Sequence, residues 1–478
     1  MLFNSLNFLV FFTLLFAIYW SVRKHLQNLL LLTASYVFYG FADWRFLFLL
    51  IGISAAVFFL AIGMEKAEGT ARASLKKLFF SLGLTLSIGS LAFFKYFNFF
   101  TASFNDLLRG VGIHSQLETL HIIVPLGISF FTFRVLSYLF DVNNGKTRPT
   151  RDWVVFFNYV SFFPSLLAGP IDRAKLFIPQ LEKQRSFTYS EGVNGLRQIL
   201  YGLFKKMVIA DRCAEFANTI FTNYTNYHGI TLILGAIIFT IQIYADFSGY
   251  SDMALGIARL LGFHITKNFD FPFFSENIAE FWRKWNISLT SWLTDYLFTP
   301  LSISFRNWGK TGLVLAILIT FTICGVWHGA SWTYVLFGFV HGCYYIPLIL
   351  TGAMTKKKKK IQDRALPSFS QFFNMILTFI LVSLAFILFR SDTVSDAAGY
   401  YKRILHLWPV ARPEISVSLL LLAGIFLLLE WIGRNSEYAI EKTGLNWSKT
   451  GRWAFYLAIF IVIFLYQGKP LAFIYFQF

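Results

Sequence analysis

Gly325-Val326-Trp327-His328-Gly329-Ala330-Ser331-Trp332 lies between two apolar runs, Thr311 to Val326 and Tyr334 to Leu350, with His341-Gly342 further along the second. Both runs are of membrane grade, so His328 stands where a solvated imidazole is not expected. A charged Asp, Lys or Arg at the centre of a spanning helix costs roughly 2.5–3.5 kcal/mol by insertion scales, and an ionisable residue there is by default a functional-site hypothesis. Neutral histidine costs less, and a lone one can simply bond a neighbouring carbonyl. The rest of the chain decides between the two readings.

The 478 residues are 56% hydrophobic and only 14% charged, with 58 Phe and 13 Trp and a mean hydropathy of +0.57. A soluble domain carries roughly 25% charged residues, so the composition predicts an all-α polytopic membrane protein. The formal charge of +17 resides in short loops between apolar runs, not on one face interleaved with exposed aromatics. That is the distribution of the positive-inside rule and argues against a nucleic-acid partner. Cys213, Cys324 and Cys343 lack C-x-x-C spacing, so neither a disulfide framework nor a zinc or other metal site is indicated.

A span needs about 20 apolar residues, and about eleven to thirteen transmembrane or re-entrant helices can be drawn on this chain. Met1 to Trp20 is apolar without leading basic residues or a small-x-small cleavage pattern, and Arg23 and Lys24 follow it. It reads as a retained first span with the N-terminus outside. Spans near Gln27 to Tyr39, Phe46 to Ile62, Leu78 to Phe100 and His121 to Phe140 then return Lys66, Arg72, Lys76, Lys77, Lys146, Arg148 and Arg151 to the cytoplasmic side, while the external loops carry only Arg45 and Arg109.

From Trp153 to Pro179 the pattern breaks at Pro164 and Ala168-Gly169-Pro170, which predicts a re-entrant element, since irregular backbone at membrane depth must be buried or line a wet cavity. A span near Val193 to Ile209 follows. Ile230 to Leu261 is apolar yet holds Asp246 and Asp252, as a cavity wall or an interfacial turn would. In Phe271 to Pro300, Trp282, Trp285, Leu289 and Trp292 recur at three- and four-residue steps, the mark of one amphipathic helix too polar to span. The run Lys356 to Lys360 reads as a cytoplasmic loop attractive to anionic lipid headgroups. Counting back from it, the helix ending near Trp327 ascends, the one carrying His341 descends, and His328 falls nearer the outer half of the bilayer. Spans near Phe372 to Phe389, Ile415 to Ile432 and Trp453 to Tyr466 complete the chain. It reads as a single integral-membrane domain, residues 1–478, with N-terminal helices to 120, a core over 121–350 and C-terminal helices over 351–478. No soluble domain and no internal repeat is apparent.

Nine stretches in order then resemble one family. They are Ser35-Tyr36-Val37-Phe38-Tyr39-Gly40 with Trp44-Arg45, Phe94-Lys95-Tyr96-Phe97-Asn98-Phe99-Phe100, Pro125-Leu126-Gly127-Ile128-Ser129-Phe130-Phe131-Thr132-Phe133, Ala168-Gly169-Pro170-Ile171, Gly202-Leu203-Phe204-Lys205-Lys206, Asp246-Phe247-Ser248-Gly249-Tyr250-Ser251-Asp252, Phe281-Trp282-Arg283-Lys284-Trp285, Asp295-Tyr296-Leu297 and Trp327-His328-Gly329-Ala330. Together they resemble the membrane-bound O-acyltransferases, and within them the bacterial polysaccharide O-acetyltransferases of the alginate type. The resemblance implies an O-acyltransferase of the inner (plasma) membrane with His328 as catalytic residue and Asn286, after Trp285, as the second polar residue. Trp327, Trp285, Asp246, Asp252 and Asp295, from the same motifs, are the candidate substrate-contacting residues. The chain departs from that subgroup in carrying Asn286 where His is usual, Thr294 where Arg is common, and Leu301-Ser302-Ile303-Ser304 in place of a Gly-rich turn. The family reading further implies no permanently bound cofactor, a cytoplasmic acyl thioester (acyl-CoA or an acyl carrier) as donor, and an extracytoplasmic hydroxyl as acceptor. A separate SGNH-type transferase outside is an implied partner.

In such a site His328 would take the proton of the attacking hydroxyl, a task suited to an imidazole whose unperturbed pKa is about 6.5 and which burial keeps neutral. Asn286 can offer its amide N–H to the oxyanion, a contribution of roughly 3–4 kcal/mol where one such donor has been removed. An acyl-histidine route is equally compatible with the sequence. His341 lies thirteen residues on, about 220° around an ideal helix, which predicts a different face and a structural role. A proton-coupled transporter or flippase and a non-catalytic scaffold are the competing classes. D-alanyl transfer to teichoic acid, peptidoglycan O-acetylation and lipid acylation compete within the enzyme reading.

Overall fold

The computed structural model describes residues 1–68, 73–113, 117–355, 366–406, 415–466 and 471–474. Among them every regular element is a helix. Arg45–Ala67, Ser74–Gly110, Gly229–Leu260, Arg306–His328, Trp332–Leu350 and Phe369–Arg390 are long and apolar enough to cross a membrane, and Leu6–Ser21 and Val417–Gly433 are shorter apolar helices. The all-α polytopic expectation holds. The lysine run 356–360 lies outside the described residues. The chain packs as two compact units, one formed by Met1–Gly195 with Ile257–Thr266, the other by Leu196–Gly256 with Lys267–Phe478.

The first unit contains α1 (Leu6–Ser21), α2 (Lys24–Asp43), α3 (Arg45–Ala67), α4 (Ala73–Leu91), α5 (Phe97–Gly110), α6 (Ile128–Asn143), α7 (Trp153–Ser161), α8 (Phe163–Leu166) and α9 (Ala174–Glu182). The run expected as a span from His121 becomes helical only at Ile128. Gly127, at φ 74°, turns the chain there, and a Cβ on it would come 2.7 Å from the Leu166 carbonyl. The irregular stretch after α7 is buried in protein, as irregular backbone among spanning helices must be. Arg134 of α6 is its anchor: the guanidinium donates to the carbonyls of Tyr159 (3.1 Å) and Pro170 (3.0 Å) and to the Ser165 hydroxyl. Asp172 lies 3.9 Å away and accepts from the Thr266 amide and hydroxyl. One buried cation thus satisfies carbonyls that no helix claims.

From α10 (Tyr189–Leu203), in which the boundary between the units falls, the chain continues through a π-helical stretch, Phe204–Ala210, into α11 (Asp211–Thr222) and α12 (Gly229–Leu260). The short helices α13 (Ile278–Lys284), α14 (Ile287–Leu293) and α15 (Thr299–Ser304) follow, then α16 (Gly309–His328), α17 (Trp332–Leu350), α18 (Phe369–Arg390), α19 (Val394–Ile404), α20 (Val417–Gly433) and α21 (Lys449–Leu465). One of two open readings is removed here, and one expectation is corrected. Asp246 and Asp252 sit within the unbroken helix α12, so no interfacial turn separates them. Residues 271–300 are not one amphipathic helix. The chain breaks at Trp285-Asn286, where Asn286 is left-handed (φ 44°), because the segment before α13 pairs with the break: Asp270 N donates to Lys284 O (2.9 Å) and Ile287 N to Asn268 O (2.8 Å).

Candidate active site

The second unit holds all seven candidate residues. Helices α16 and α17 fold back on each other about facing glycines. A Cβ on Gly325 would come 2.1 Å from Tyr334 O, and one on Gly338 2.1 Å from Phe321 O, so the backbones touch, as small residues allow at helix interfaces in membranes. Ser331 caps α17 by accepting from Thr333 N (3.3 Å). The chain therefore reverses over Gly329–Ser331, and His328 is the last residue of α16. The angle of about 220° expected between His328 and His341 presumes one continuous helix and does not apply. Instead, Phe337 lies between them, its ring centroid 6.0 Å from His328 and 4.7 Å from His341.

His328 is 4% exposed. Its ring meets Trp327 at 4.9 Å and Phe389 at 5.2 Å. Trp285 is caged by Phe281 (5.3 Å), Phe269 (5.1 Å) and Phe386 (5.5 Å). Phe386 continues to Phe337 (5.5 Å) and Phe389 (5.8 Å). The Trp285-Asn286 break and His328 are thus joined through one layer of aromatic rings, without a direct hydrogen bond. Asn286 is 1% exposed, and its Nδ2 has no hydrogen-bond partner among the described residues. A buried donor left unsatisfied costs roughly 1–3 kcal/mol, which a bound acceptor atom would recover.

Two cavities flank this aromatic layer. The first, about 320 Å³, is polar and lined by Lys206, Asp211, Gln242, Asp246, Thr333 and Arg390, with Tyr334 and Phe389 as its aromatic wall. Phe389, its ring 5.2 Å from that of His328, therefore stands between this cavity and the imidazole. Lys206 Nζ bridges Asp211 and Asp246, each at 2.9 Å. Asp246 Oδ2 also accepts from Ile474 N (2.8 Å). The neighbouring Lys205 pairs instead with Asp252 (2.5 Å), which accepts from Gln198 too (2.8 Å). Two successive lysines address α12 because the π-helical stretch widens the turn and because α10 and α12 touch at glycines: a Cβ on Gly202 would lie 2.7 Å from Gly249 O. Beyond Lys205, Glu430 accepts from Tyr201 (2.6 Å) and Tyr244.

The second cavity, about 370 Å³, is mostly apolar, with Trp282, Phe321, Cys324 and Tyr345 among its lining and Arg283 and Asp295 as charged members. Met354, two residues before the lysine run, also borders it. Behind Trp282 stands His341, fully buried, whose Nδ1 accepts from the indole N–H at 3.1 Å. His328 itself borders neither cavity. It is separated from the polar one by Phe389 and from the apolar one by Phe337 and Trp282, whose centroids are 6.5 Å apart.

The candidate residues are therefore only partly assembled. His328, Trp327, Trp285 and Asn286 share the aromatic layer. Asp246 belongs to the polar cavity, Asp252 to the Lys205 pair and Asp295 to the rim of the apolar cavity. Sequence reasoning passed over Asp211, Gln242 and Arg390. The usable signal was Lys206 beside carboxylates six residues apart on one helix.

Residues 77–391 match MBOAT, the membrane-bound O-acyltransferase family. The chain is 34% identical over 454 residues to a probable alginate O-acetylase of Azotobacter vinelandii, covering 93% of this chain and 87% of that one. It is 29% identical to a peptidoglycan O-acetyltransferase of Helicobacter pylori, across 100% of this chain and 98% of that one. A teichoic acid D-alanyltransferase of Streptococcus thermophilus is 31% identical over 55% of this chain and 68% of its own. With the family matched across two thirds of its length and spanning helices throughout, this chain belongs to the membrane-bound O-acyltransferase family and is a multi-pass membrane O-acyltransferase.

Proposed function

We propose that this enzyme moves an acetyl or other short acyl group from a cytoplasmic thioester, acyl-CoA or an acyl carrier, to a hydroxyl of an extracytoplasmic polysaccharide, directly or through a separate SGNH-type transferase. The observation that carries the reading is the place of His328, between a polar cavity with carboxylates and hydroxyls and an apolar cavity lined by Trp282, Phe321 and Arg283. The apolar cavity suits a thioester arm, with Arg283 for its phosphates. The polar cavity suits a carbohydrate hydroxyl. The acyl carrier is charged and cannot cross the hydrocarbon, so only the acyl group passes the partition.

In this reading Phe389 swings aside to admit the hydroxyl. The imidazole of His328 takes its proton as the oxygen attacks the thioester carbonyl. The C–S bond then breaks, and the leaving thiolate recovers that proton. Cationic imidazolium forms at the C-terminal end of α16, where the helix dipole contributes roughly 0.3–1 kcal/mol. Asn286 Nδ2 supplies the hydrogen bond to the oxyanion.

The test is the O-acyl content of the envelope polysaccharide and of the peptidoglycan in cells carrying His328→Ala. A positioned base contributes about 10²–10⁴-fold, so transfer falls at least that far while the protein inserts and purifies normally. Retention of more than about a tenth of the wild-type rate overturns the assignment. The fraction that loses its acyl groups identifies the acceptor.

A further inference from the structure

We propose that the hydrogen bond between Trp282 and His341 sets the length of the acyl chain this enzyme accepts. The inference rests on the reading of the apolar cavity as the donor site. Trp282 is 3% exposed and lines that cavity beside Phe321, with ring centroids 5.0 Å apart. Past the indole come Phe337 and then His328. An acyl group moving from the cavity toward His328 along this line passes the edge of the indole, and the room left there limits the chain that fits.

Phe281, Phe321 and Phe337 pack around the indole, and one hydrogen bond fixes which way its N–H edge faces. Its N–H donates to His341 Nδ1 at 3.1 Å, and the two rings meet edge-on at 4.9 Å. An imidazole that accepts at Nδ1 carries its proton on Nε2, and that Nε2 has no hydrogen-bond partner among the described residues. Phenylalanine would fill the same space without leaving a polar nitrogen buried. What histidine adds at 341 is the acceptor that fixes Trp282, which makes it a positioning residue. One methylene in an apolar pocket is discriminated about 10–200-fold when the pocket wall is fixed. A released indole forfeits that discrimination.

The experiment uses membrane vesicles from cells carrying the full-length enzyme, supplied with acetyl-, butyryl- or hexanoyl-CoA, and counts acyl groups incorporated into the envelope fraction. In His341→Phe, which keeps a ring but loses the acceptor, the hexanoyl-to-acetyl ratio of kcat/KM rises at least about tenfold, through a lower KM for the longer donor. His341→Asn, whose Oδ1 takes the place of Nδ1, restores the wild-type ratio. Trp282→Phe, which removes the donor from the other side, shifts the ratio in the same direction as His341→Phe and serves if that variant fails to fold. A ratio unchanged in both His341→Phe and Trp282→Phe overturns the inference, as does an equal loss with all three donors or a His341→Asn shift as large as that of His341→Phe. Wild-type vesicles that consume none of the three thioesters overturn the donor-site reading, and the inference falls with it.

Discussion

At the scale of the residue, Asn286 combines two unfavourable features. Its backbone is left-handed, a conformation costing most L-residues roughly 1–2 kcal/mol and asparagine less. The Nδ2 of its side-chain amide is buried without a hydrogen-bond partner among the described residues. The two are separable by substitution. Asn286→Gly keeps the left-handed turn and removes the amide, so it folds with wild-type thermal stability while kcat falls about 10²–10³-fold, the loss expected for one oxyanion donor. Asn286→Ala loses the same activity and is in addition less stable. An Asn286→Gly enzyme with near-wild-type kcat, measured beside its melting temperature in detergent, removes Asn286 from the chemistry. His328 was legible in the sequence because an imidazole between two apolar runs contradicts its surroundings. The strain at Asn286 was not. Trp282, Trp285, Leu289 and Trp292 keep helical spacing straight through it, and the break is imposed by pairing with Asn268 and Asp270.

At the scale of the element, His328 is held in place by the closeness of α16 and α17. A methyl group on Gly325 would overlap the Tyr334 carbonyl, and the clash is with backbone, which cannot rotate away. Gly325→Ala therefore separates the helices at the turn that presents His328. It lowers stability by about 1–3 kcal/mol, as overpacking does, and lowers activity with it. Gly424→Ala in α20 is the matched control. A Cβ there meets nothing within 4 Å, so this change is neutral or stabilising by about 0.5–1 kcal/mol. Thermal melts of both variants in one detergent decide the matter, and equal melting temperatures would mean that the contact does not hold the pair. The reversal itself was readable, since opposite directions for the two runs follow from charge bias. The place of His341 was not, because counting 100° per residue across Gly329–Ser331 carries a helix through a turn. Its partnership with Trp282 crosses 59 residues, beyond any local pattern.

At the scale of the whole molecule, sidedness decides whether the two cavities can serve the two substrates. Spanning helices were legible from composition, because few other solutions bury so much apolar chain. The two packing units were not, since two of their three boundaries fall inside α10 and α12, where neither proline nor a polar linker marks them. Orientation rests on basic residues alone. If the lysine run is cytoplasmic, as the charge bias predicts, Gly329–Ser331 and Arg390 lie outside and Met354 lies inside. The polar cavity then faces the envelope and the apolar one the acyl thioester. To test this, Cys213, Cys324 and Cys343 are replaced by alanine, and a single cysteine is placed at Ala330 or Thr351, both exposed. A membrane-impermeant maleimide labels Ala330→Cys in intact spheroplasts and reaches Thr351→Cys only after the membrane is opened. The opposite pattern would turn the apolar cavity toward the envelope, away from the thioester pool, and the acyl group would then have no route from the donor to His328.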